Sequence, residues 1–319
     1  MPDVTVAICT WNRADALRET LLAIRSMRLP PGVSWELVVV DNGSTDATAR
    51  VLAACEGLPL RAVEEPRPGI ARARLRALAE ARAPLLFCTD DDVDVDRDWF
   101  GAHLAAALRH PEAGWFGGPV APRFLEELPP WLVRGLPAVR DAFAVLDNGP
   151  EERPLAGSET VYGANMAFRT EVLRRHPFDP AFGSRHGTPF LGEETEAIRR
   201  IRAAGHAGIW VPAARVVHRI PAPRMTLSAV GRYFRAVGRT DARAAPPGSP
   251  RRRAAHALLR AWVETAPRYA LQRLLRADPR RWLRTFRRMH YLRGRAAELW
   301  SSLDGATQER PPPPYNPGA

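Results

Sequence analysis

The sequence contains no lysine, and each of its 46 basic residues is an arginine. A genome rich in Arg, Ala, Gly and Pro codons explains this choice of basic residue. The number of arginines is therefore weak support for a nucleic-acid partner, and no motif typical of nucleic-acid binding accompanies it. We expect no nucleic-acid partner.

Cysteine is scarce, and long apolar runs are missing. Cys9, Cys55 and Cys88 are odd in number and lack the spacing of metal ligands. They favour a reducing compartment over a disulfide-bonded secreted fold. No apolar run approaches the ~20 residues that span a bilayer, and a strand-like run begins at Val4, so we expect no signal peptide. These absences predict a cytoplasmic protein.

Apolar runs and polar turns alternate along the first third of the chain. Their spacing predicts strands at Val4–Cys9, Trp35–Val40, Leu60–Val63 and Leu85–Cys88, with helices after Thr10–Arg13, at Ala47–Cys55 and at Ile70–Ala83. Asp15 is the expected cap of the first helix, and Ser44 or Thr45 that of the second. Right-handed crossovers make such strands parallel neighbours. The polar turns then open on one edge of a mostly parallel α/β sheet.

Three consecutive carboxylates, Asp90, Asp91 and Asp92, follow the last of these strands. Adjacent anions repel one another, so a fold that holds them together needs a cation. Ligand clefts of open parallel sheets lie at the carboxyl ends of the strands. The pattern therefore predicts a divalent metal site that receives a diphosphate. The alternative is a solvated acidic turn that caps the next helix.

The remainder of the chain is less regular. Residues 111–163 are rich in Pro and Gly and predict loops, with one strand at 115–120. Helices are predicted at 171–175 and 191–202, separated by a loop at 182–190 that contains Arg185 and His186. Strands are predicted at 208–212 and 215–218. Beyond these we predict helices at 225–237, 252–266 and 279–302, with a linker at 245–250.

Six short motifs occur in an order and spacing that resemble those of family 2 glycosyltransferases. They are Thr10–Arg13, Asp41–Asp46, Asp90–Asp92, Gly163–Met166, Gly192–Glu194 and Val217–His218. The resemblance covers about residues 4–223. It implies a GT-A fold, with a Rossmann-like mixed sheet flanked by helices. It also implies an inverting enzyme that uses a nucleoside diphosphate sugar, for which we expect a UDP-sugar.

The resemblance also implies roles for individual residues. Those expected at the donor or its nucleotide are Thr10, Asn12, Arg13, Asp41, Gly69, Arg74, Asp90 and Asp91. Asp90 and Asp92 resemble the ends of the Asp-X-Asp metal motif, and His218 resembles the histidine that completes the metal site in some members. One imidazole among oxygen ligands suits Mn²⁺ as well as Mg²⁺. The family often has asparagine after the arginine, and this chain has Leu75 there.

Inversion requires a general base that takes the proton from the acceptor hydroxyl. Glu194 is our choice, with Glu193 in reserve, because both open a helix whose dipole stabilises the ionised form. The family usually has aspartate at the second position. Ordinary acidic residues in a first helical turn are the alternative. Asn165, together with Glu193, is expected to bind donor or acceptor hydroxyls, and the alternative for Asn165 is a helix cap.

The charge is concentrated near the end of the chain. Residues 251–300 contain 14 arginines and three acidic residues, and the remainder is close to neutral. In the helix at 279–302, Trp282, Phe286, Met289, Ala296 and Leu299 recur on one side, with arginines mostly elsewhere. Such a helix can lie on an anionic membrane. The alternative is that its apolar side packs on the protein's own catalytic domain, with the arginines in water.

Together these features predict a metal-dependent glycosyltransferase that acts on a glycan or lipid-linked acceptor and is peripheral on the inner face of the membrane. We predict a catalytic domain over 1–224, a basic helical extension over 225–304 and a disordered Pro-rich tail over 305–319. One alternative is a phosphoryl- or nucleotidyl-transferase, which would release pyrophosphate or transfer phosphate. A second is a non-catalytic module that binds nucleotide sugars.

Overall fold

The computed structural model describes residues 1–157, 159–183, 191–245 and 250–301. The chain divides into two compact units. The first comprises Met1–Arg123, Ala144–Pro180 and Glu193–Arg219, and the second comprises Phe124–Phe143, Ala181–Gly192 and Ile220–Ala319. Arg185 and His186, most of the predicted linker and the predicted disordered tail lie outside the described residues.

Strands and helices alternate through the first unit. The strands are β1 (Val4–Thr10), β2 (Trp35–Asp41), β3 (Leu60–Glu64), β4 (Leu85–Asp90), β5 (Val93–Val95), β6 (Trp115–Gly117), β7 (Val120–Phe124), β8 (Arg153–Pro154), β9 (Met166–Arg169), β10 (Gly208–Trp210) and β11 (Val216–Ile220). The helices up to residue 203 are α1 (Ala14–Arg25), α2 (Thr48–Ala53), α3 (Ile70–Glu80), α4 (Trp99–Arg109), α5 (Pro130–Val139), α6 (Thr170–Arg175) and α7 (Glu193–Ala203). Of these, α5 belongs to the second unit.

Eight strands form the main sheet, in the order β3-β2-β1-β4-β9-β6-β10-β8. The first four are parallel neighbours, as predicted, and β9 enters antiparallel between β4 and β6. A second sheet has the order β5-β11-β7. The prediction of a mixed, mostly parallel sheet flanked by helices is confirmed.

The central strands are buried on both faces, which explains why they appear in the sequence as continuous apolar runs. On one face Val6, Ile8 and Phe87 pack with Leu17 of α1 and Phe100 of α4. On the other face the strand residues Ala7, Val38 and Leu86 pack with small residues of α3, which are Ala73 and Ala77. The two hydrophobic layers hold the strand ends in fixed register.

Helix capping differs from the prediction. Asp15 lies within α1, and neither Ser44 nor Thr45 caps α2. Instead Asp46 serves both helices, because its Oδ2 accepts from the Ala14 amide at 3.0 Å and its Oδ1 from the Thr48 amide at 3.0 Å. A single carboxylate in the β2–α2 loop therefore joins the starts of the two helices.

Several element boundaries were predicted wrongly. The predicted strand at 115–120 is two strands, β6 and β7, interrupted at Gly118-Pro119. The prediction contained neither β9 nor α4, and it assigned α5 to a loop region. Helix α5 begins with Pro130. The first N–H groups of a helix have no partner within the helix, so the missing N–H of proline costs nothing at this position. The helix also contains Pro137 near its end.

The second unit is helical. Its later helices are α8 (Leu227–Ala244), α9 (Pro250–Leu259), α10 (Ala266–Leu274) and α11 (Pro279–Ser301), with a π-helical segment at Arg260–Thr265. Helices α8 and α11 cross closely, since a Cβ at Gly238 would lie 2.0 Å from the Tyr291 carbonyl oxygen. Glu298 of α11 accepts from Arg239 and Arg243 of α8.

The apolar side of α11 is buried within this unit. Trp282, Phe286 and Met289 are each at most 6% exposed, and α11 packs against α8, α9 and α5. The expectation that this side lies on a membrane is therefore wrong, because the protein already covers it. No helix among the described residues is both long and apolar enough to cross a bilayer.

Candidate active site

The ends of three parallel strands bring the predicted site residues together. Thr10 at the end of β1 is the register partner of Asp41 at the end of β2, and Cys9 is the partner of Asp90 at the end of β4. The predicted convergence of the polar turns on one edge of the sheet is confirmed by this register. Asp91 and Asp92 continue from β4 and are 4% and 8% exposed.

Arg13 is the cation that the first unit itself supplies to the acidic turn. Its Nη1 lies 3.0 Å from Asp91 Oδ1 and 2.7 Å from Asp92 Oδ2. Thr10 Oγ1 donates to the other oxygen of Asp91 at 2.7 Å. Burial raises the pKa of Asp91 to about 6, and Arg13 opposes this rise. Asp91 and Asp92 are thus buried and paired with Arg13, whereas the alternative considered from the sequence was a solvated acidic turn.

The second sheet places His218 beside Asp92. His218 on β11 is the register partner of Val93 on β5, and its Nε2 lies 3.3 Å from Asp92 Oδ1. The Arg219 amide also donates to the Asp92 carbonyl at 2.9 Å. An imidazole and a carboxylate separated by 126 positions in the chain are therefore neighbours.

Asp90 does not join this pair, although the sequence predicted that it would. Its Oδ1 lies 3.2 Å from Arg74 Nη2. Within the ranges that the structure describes, no group of three or more His, Cys, Asp or Glu side chains is arranged to hold a metal ion. Of the predicted ligand set, Asp92 and His218 are together and Asp90 points to a different cation.

Arg74 is the centre of a second, buried charge cluster. It is 6% exposed, its Nη1 donates to Glu193 Oε1, and Glu194 Oε2 lies 3.7 Å away. Gly163 is required beside it, because a Cβ there would lie 1.9 Å from Arg74 Nη2. The Arg74 guanidinium thus binds carboxylates of the protein, and its predicted contact with the donor stays a prediction.

The two glutamates of α7 have different surroundings. Glu193 accepts a hydrogen bond from Arg74. Burial, and next the neighbouring charge of Glu193, raise the pKa of Glu194 to about 8. A carboxyl group whose pKa lies near neutrality can both accept and release a proton, as a general base requires.

A network of short hydrogen bonds shapes the loops after β1 and β2. Asn12, which has a positive φ of 51°, accepts from the Thr45 amide at 2.7 Å through its Oδ1. Asp41 Oδ1 accepts from the Ser44 amide at 2.9 Å. Asn42 was not among the predicted site residues; its side chain accepts from the Gly69 amide at 2.8 Å and fixes the loop before α3.

Asn165 is a structural residue in this arrangement. It is fully buried, its Oδ1 accepts from Trp99 Nε1 and His103 Nε2, and its Nδ2 donates to the carbonyls of Pro119 and Ala214. These four bonds use the full capacity of an amide. The prediction that it binds sugar hydroxyls is corrected on this ground, and its alternative as a helix cap is also wrong, since Arg169 precedes α6.

The geometry can now be compared with known proteins. The sequence model of one family, described as glycosyl transferase family 2, matches residues 5–152, just under half of the chain. This segment is similar to glycosyltransferase family 2. The match includes Asp41 and the acidic turn, whereas Glu193, Glu194 and His218 lie beyond the matched residues.

Two curated relatives show the extent of similarity in sequence. Succinoglycan biosynthesis protein ExoO of Rhizobium meliloti is 36% identical over 100 residues, which are 30% of this chain and 28% of that protein. Glucosyl-dolichyl phosphate glucuronosyltransferase of Haloferax volcanii is 25% identical over 228 residues, 68% of this chain and 69% of that protein. The chain spans about a quarter of the length of the first two curated relatives it matches.

Two solved structures show the fold. Mannosyltransferase PcManGT from Pyrobaculum calidifontis, in complex with GDP-Man and Mn²⁺, has a TM-score of 0.60 at 24% identity and covers 94% of this chain and 88% of its own. Staphylococcus aureus TarS 1–349 with UDP-GlcNAc has a TM-score of 0.53 at 15% identity, with 96% and 92% covered. The predicted GT-A fold is confirmed, and the match to the family 2 sequence model supports the prediction of a glycosyltransferase.

Proposed function

We propose that the protein transfers a sugar, with inversion, from a nucleoside diphosphate sugar to a hydroxyl group of a glycan or lipid-linked acceptor. This proposal rests on one observation: Thr10, Asp41 and the acidic turn lie in register at one edge of the main sheet. Such an edge is where parallel α/β sheets bind their ligands. A cytoplasmic location is part of the proposal and accords with three unpaired cysteines.

In this proposal the nucleotide lies over the ends of β1 and β2. Asp41 is placed to accept a hydrogen bond from the base, and its own position is fixed by the Ser44 amide. Asn12 and Gly69 shape the two walls of this pocket through their bonds to the Thr45 amide and to Asn42. Backbone amides in such loops suit phosphate oxygens.

Divalent metal is the proposed partner of the diphosphate, and Asp92 and His218 are the residues that fit it. Their donor set, one carboxylate and one imidazole 3.3 Å apart, suits Mn²⁺ or Mg²⁺ when diphosphate oxygens and water supply the other ligands. A cation bound there would neutralise the charge that develops on the leaving diphosphate. Asp90 would join only if it exchanged Arg74 for the metal.

Arg13 is the proposed protein cation at the same diphosphate. Its side chain is 48% exposed while its Nη1 stays on Asp91 and Asp92. A guanidinium in that position keeps the acidic turn compatible with an anionic donor. Asp91, which is bonded to Thr10 and Arg13, would then orient the donor-binding groups and have no direct contact with the metal.

Glu194 is the proposed general base. It is buried beside Glu193, and its raised pKa matches the task of taking a proton from an acceptor hydroxyl near neutral pH. Arg74 donates a hydrogen bond to Glu193, so Glu193 is the reserve candidate and, in our proposal, the group that orients the acceptor. The proton taken by Glu194 leaves with water after the glycoside has formed.

A UDP-sugar is our proposed donor, although two different bases occur among the solved structures. TarS is bound to UDP-GlcNAc, and PcManGT is bound to GDP-Man and Mn²⁺. TarS 1–349 has also been solved in complex with UDP. These complexes support a nucleoside diphosphate sugar as the class of donor, and uracil is the base we would test first.

A thermal-shift screen tests donor binding. UDP and GDP sugars are added to the protein with Mn²⁺, and a ligand at about 100 times its dissociation constant should stabilise the fold by about 2.7 kcal/mol. We expect Asp41→Ala to remove most of this shift and a chelator to reduce it. Shifts that are the same for Asp41→Ala and the unaltered protein would contradict the proposed nucleotide pocket.

A further inference from the structure

A groove lined by arginine lies in the second unit, between α10 and the first half of α11. Its volume is about 270 Å³, and its lining includes Arg268, Arg281, Arg284, Arg288 and Glu264. We propose that this groove and the exposed leucines beside it dock on the surface of an anionic lipid bilayer, with the arginines holding lipid phosphates. This goes beyond sugar transfer and does not depend on it.

The groove carries an excess of positive charge that the protein leaves uncompensated. Within the part of the chain that the structure describes, Arg268, Arg281 and Arg284 have no carboxylate within ion-pair distance. Glu264 lies 3.9 Å from Arg288 but is shared with Arg260 at 3.1 Å. Guanidinium groups that converge on a concave surface without counterions favour phosphate, which they can bind in bidentate geometry.

The convergence follows from helical periodicity. Arg281, Arg284 and Arg288 occupy positions i, i+3 and i+7 of α11, which place them on one face. Arg268 and Gln272 are four residues apart on α10 and line the facing wall. The opposite side of α11 is the buried apolar side described above, so the arginine face is the one left to solvent.

Exposed leucines lie on α10 next to the groove. Leu271, Leu274 and Leu275 are 55%, 79% and 69% exposed, and they too follow an i, i+3, i+4 pattern. Leu271 adjoins Gln272, which lines the groove, so apolar and cationic surface meet along one helix. Apolar side chains beside arginines are what an interfacial helix presents to a bilayer, the first entering the acyl boundary and the second meeting headgroups.

The combination favours a membrane over a soluble polyanion. A nucleic acid or an acidic protein could use the arginines, but exposed leucines would gain little from a phosphate backbone. A bilayer of anionic lipid uses both features at once. The surface differs from the apolar side of α11 that the sequence pointed to, because it combines the arginine face of α11 with the neighbouring helix α10.

Vesicle flotation of the full chain tests this proposal. We expect binding to vesicles of equal parts phosphatidylcholine and phosphatidylglycerol, and little binding to phosphatidylcholine alone. Each arginine near an anionic membrane surface strengthens partitioning by about a factor of five, so R268Q/R281Q/R284Q should lower partitioning on the order of one hundredfold. The control R25Q/R50Q/R82Q removes the same charge from exposed sites in the first unit and should leave partitioning within a few-fold.

The leucines are tested separately by L271S/L274S, which should weaken flotation even at high salt, where the arginine contribution is screened. If the triple variant fails to fold, Arg284→Gln alone should still lower partitioning about fivefold. Equal losses in the triple variant and its control would overturn the proposal. So would stabilisation by inorganic phosphate, or binding of duplex DNA, in a protein that does not float with anionic vesicles.

Discussion

The charged side chains at the site in the first unit form two clusters. Arg13 neutralises Asp91 and Asp92, whereas Arg74 is surrounded by Asp90, Glu193 and Glu194. Asp90, the first residue of the acidic triplet, therefore has a different arginine partner from Asp91 and Asp92. This division assigns diphosphate chemistry to the cluster around Asp92 and proton transfer to the cluster around Glu194.

Glu194→Gln tests the proposed base. The amide keeps the size of the side chain but cannot accept a proton, so we expect turnover to fall on the order of 10²–10⁴-fold. Donor binding, measured by calorimetry, should change by less than a few-fold, because the residue is not placed at the nucleotide.

Glu196→Gln is the matched control, since Glu196 lies on the same helical turn and pairs with Arg199 and Arg200. It should retain turnover close to that of the unaltered protein. If Glu194→Gln were as active as this control, Glu194 would not be the base.

The dependence of turnover on pH follows from the raised pKa of Glu194. Only the ionised form accepts a proton, so turnover should rise about tenfold per pH unit below a pKa of about 8 and level off above it. Stability depends on pH in the opposite direction. The native state holds the proton of Glu194 more tightly than the unfolded chain does, so its contribution to the free energy of unfolding is complete below the ordinary pKa of 4.5. This contribution is lost as the pH rises through about 8. A rate that is flat across this range would contradict the assignment.

At the scale of elements, the site depends on pairs of strands that are distant in sequence. The apolar runs of β1, β2 and β4 predicted three of the strands and their common edge, because strands buried on both faces have an unmistakable composition. Strand β9 was missed because Met166–Arg169 is too short to show a period. The sequence motifs predicted that His218 lies beside Asp92, whereas the pairing of Arg74 with Asp90 and Glu193 was not predicted, since it arises only through tertiary packing.

Gly163 tests how strictly the loop before β9 fixes Arg74. Gly163→Ala places a methyl group 1.9 Å from Arg74 Nη2, so the buried cluster must shift. We expect the free energy of unfolding, measured in urea, to fall by about 1–3 kcal/mol, together with a loss of turnover.

Gly101→Ala is the control for this substitution. Its added methyl group would meet Pro30 Cγ at an ordinary 3.8 Å, and Gly101 lies inside α4. Alanine should therefore stabilise the protein by up to about 1 kcal/mol. A Gly163→Ala protein as stable as Gly101→Ala would show that Arg74 is not tightly held.

At the scale of the whole molecule, the second unit includes chain from the middle of the sequence. Helix α5 contributes Gly135, whose position meets Leu283 of α11, and Arg134, which pairs with Asp278 at 2.9 Å. The sequence could not reveal this exchange, because prolines in residues 129–137 indicated loops. The domain boundary at residue 224 remains a proposal, and it separates α5 from its helical partners.

Shortening the chain tests that boundary. A protein ending at residue 224 would lack α11, against which α5 packs at Gly135, so we expect it to bind a hydrophobic dye and to melt at a lower temperature. A protein ending at Ser301 keeps α11 and should melt like the full chain. Equal melting temperatures for all three would show that residues 1–224 fold independently of the later helices.

The measurement that bears most directly on the whole account is ³¹P NMR of the phosphorus products after incubation with a UDP-sugar, Mn²⁺ and a hydroxyl acceptor. We predict that UDP accumulates in step with the new glycoside, and that Glu194→Gln forms neither. Accumulation of pyrophosphate or of a phosphorylated acceptor would contradict sugar transfer and favour phosphoryl or nucleotidyl transfer at the same acidic turn.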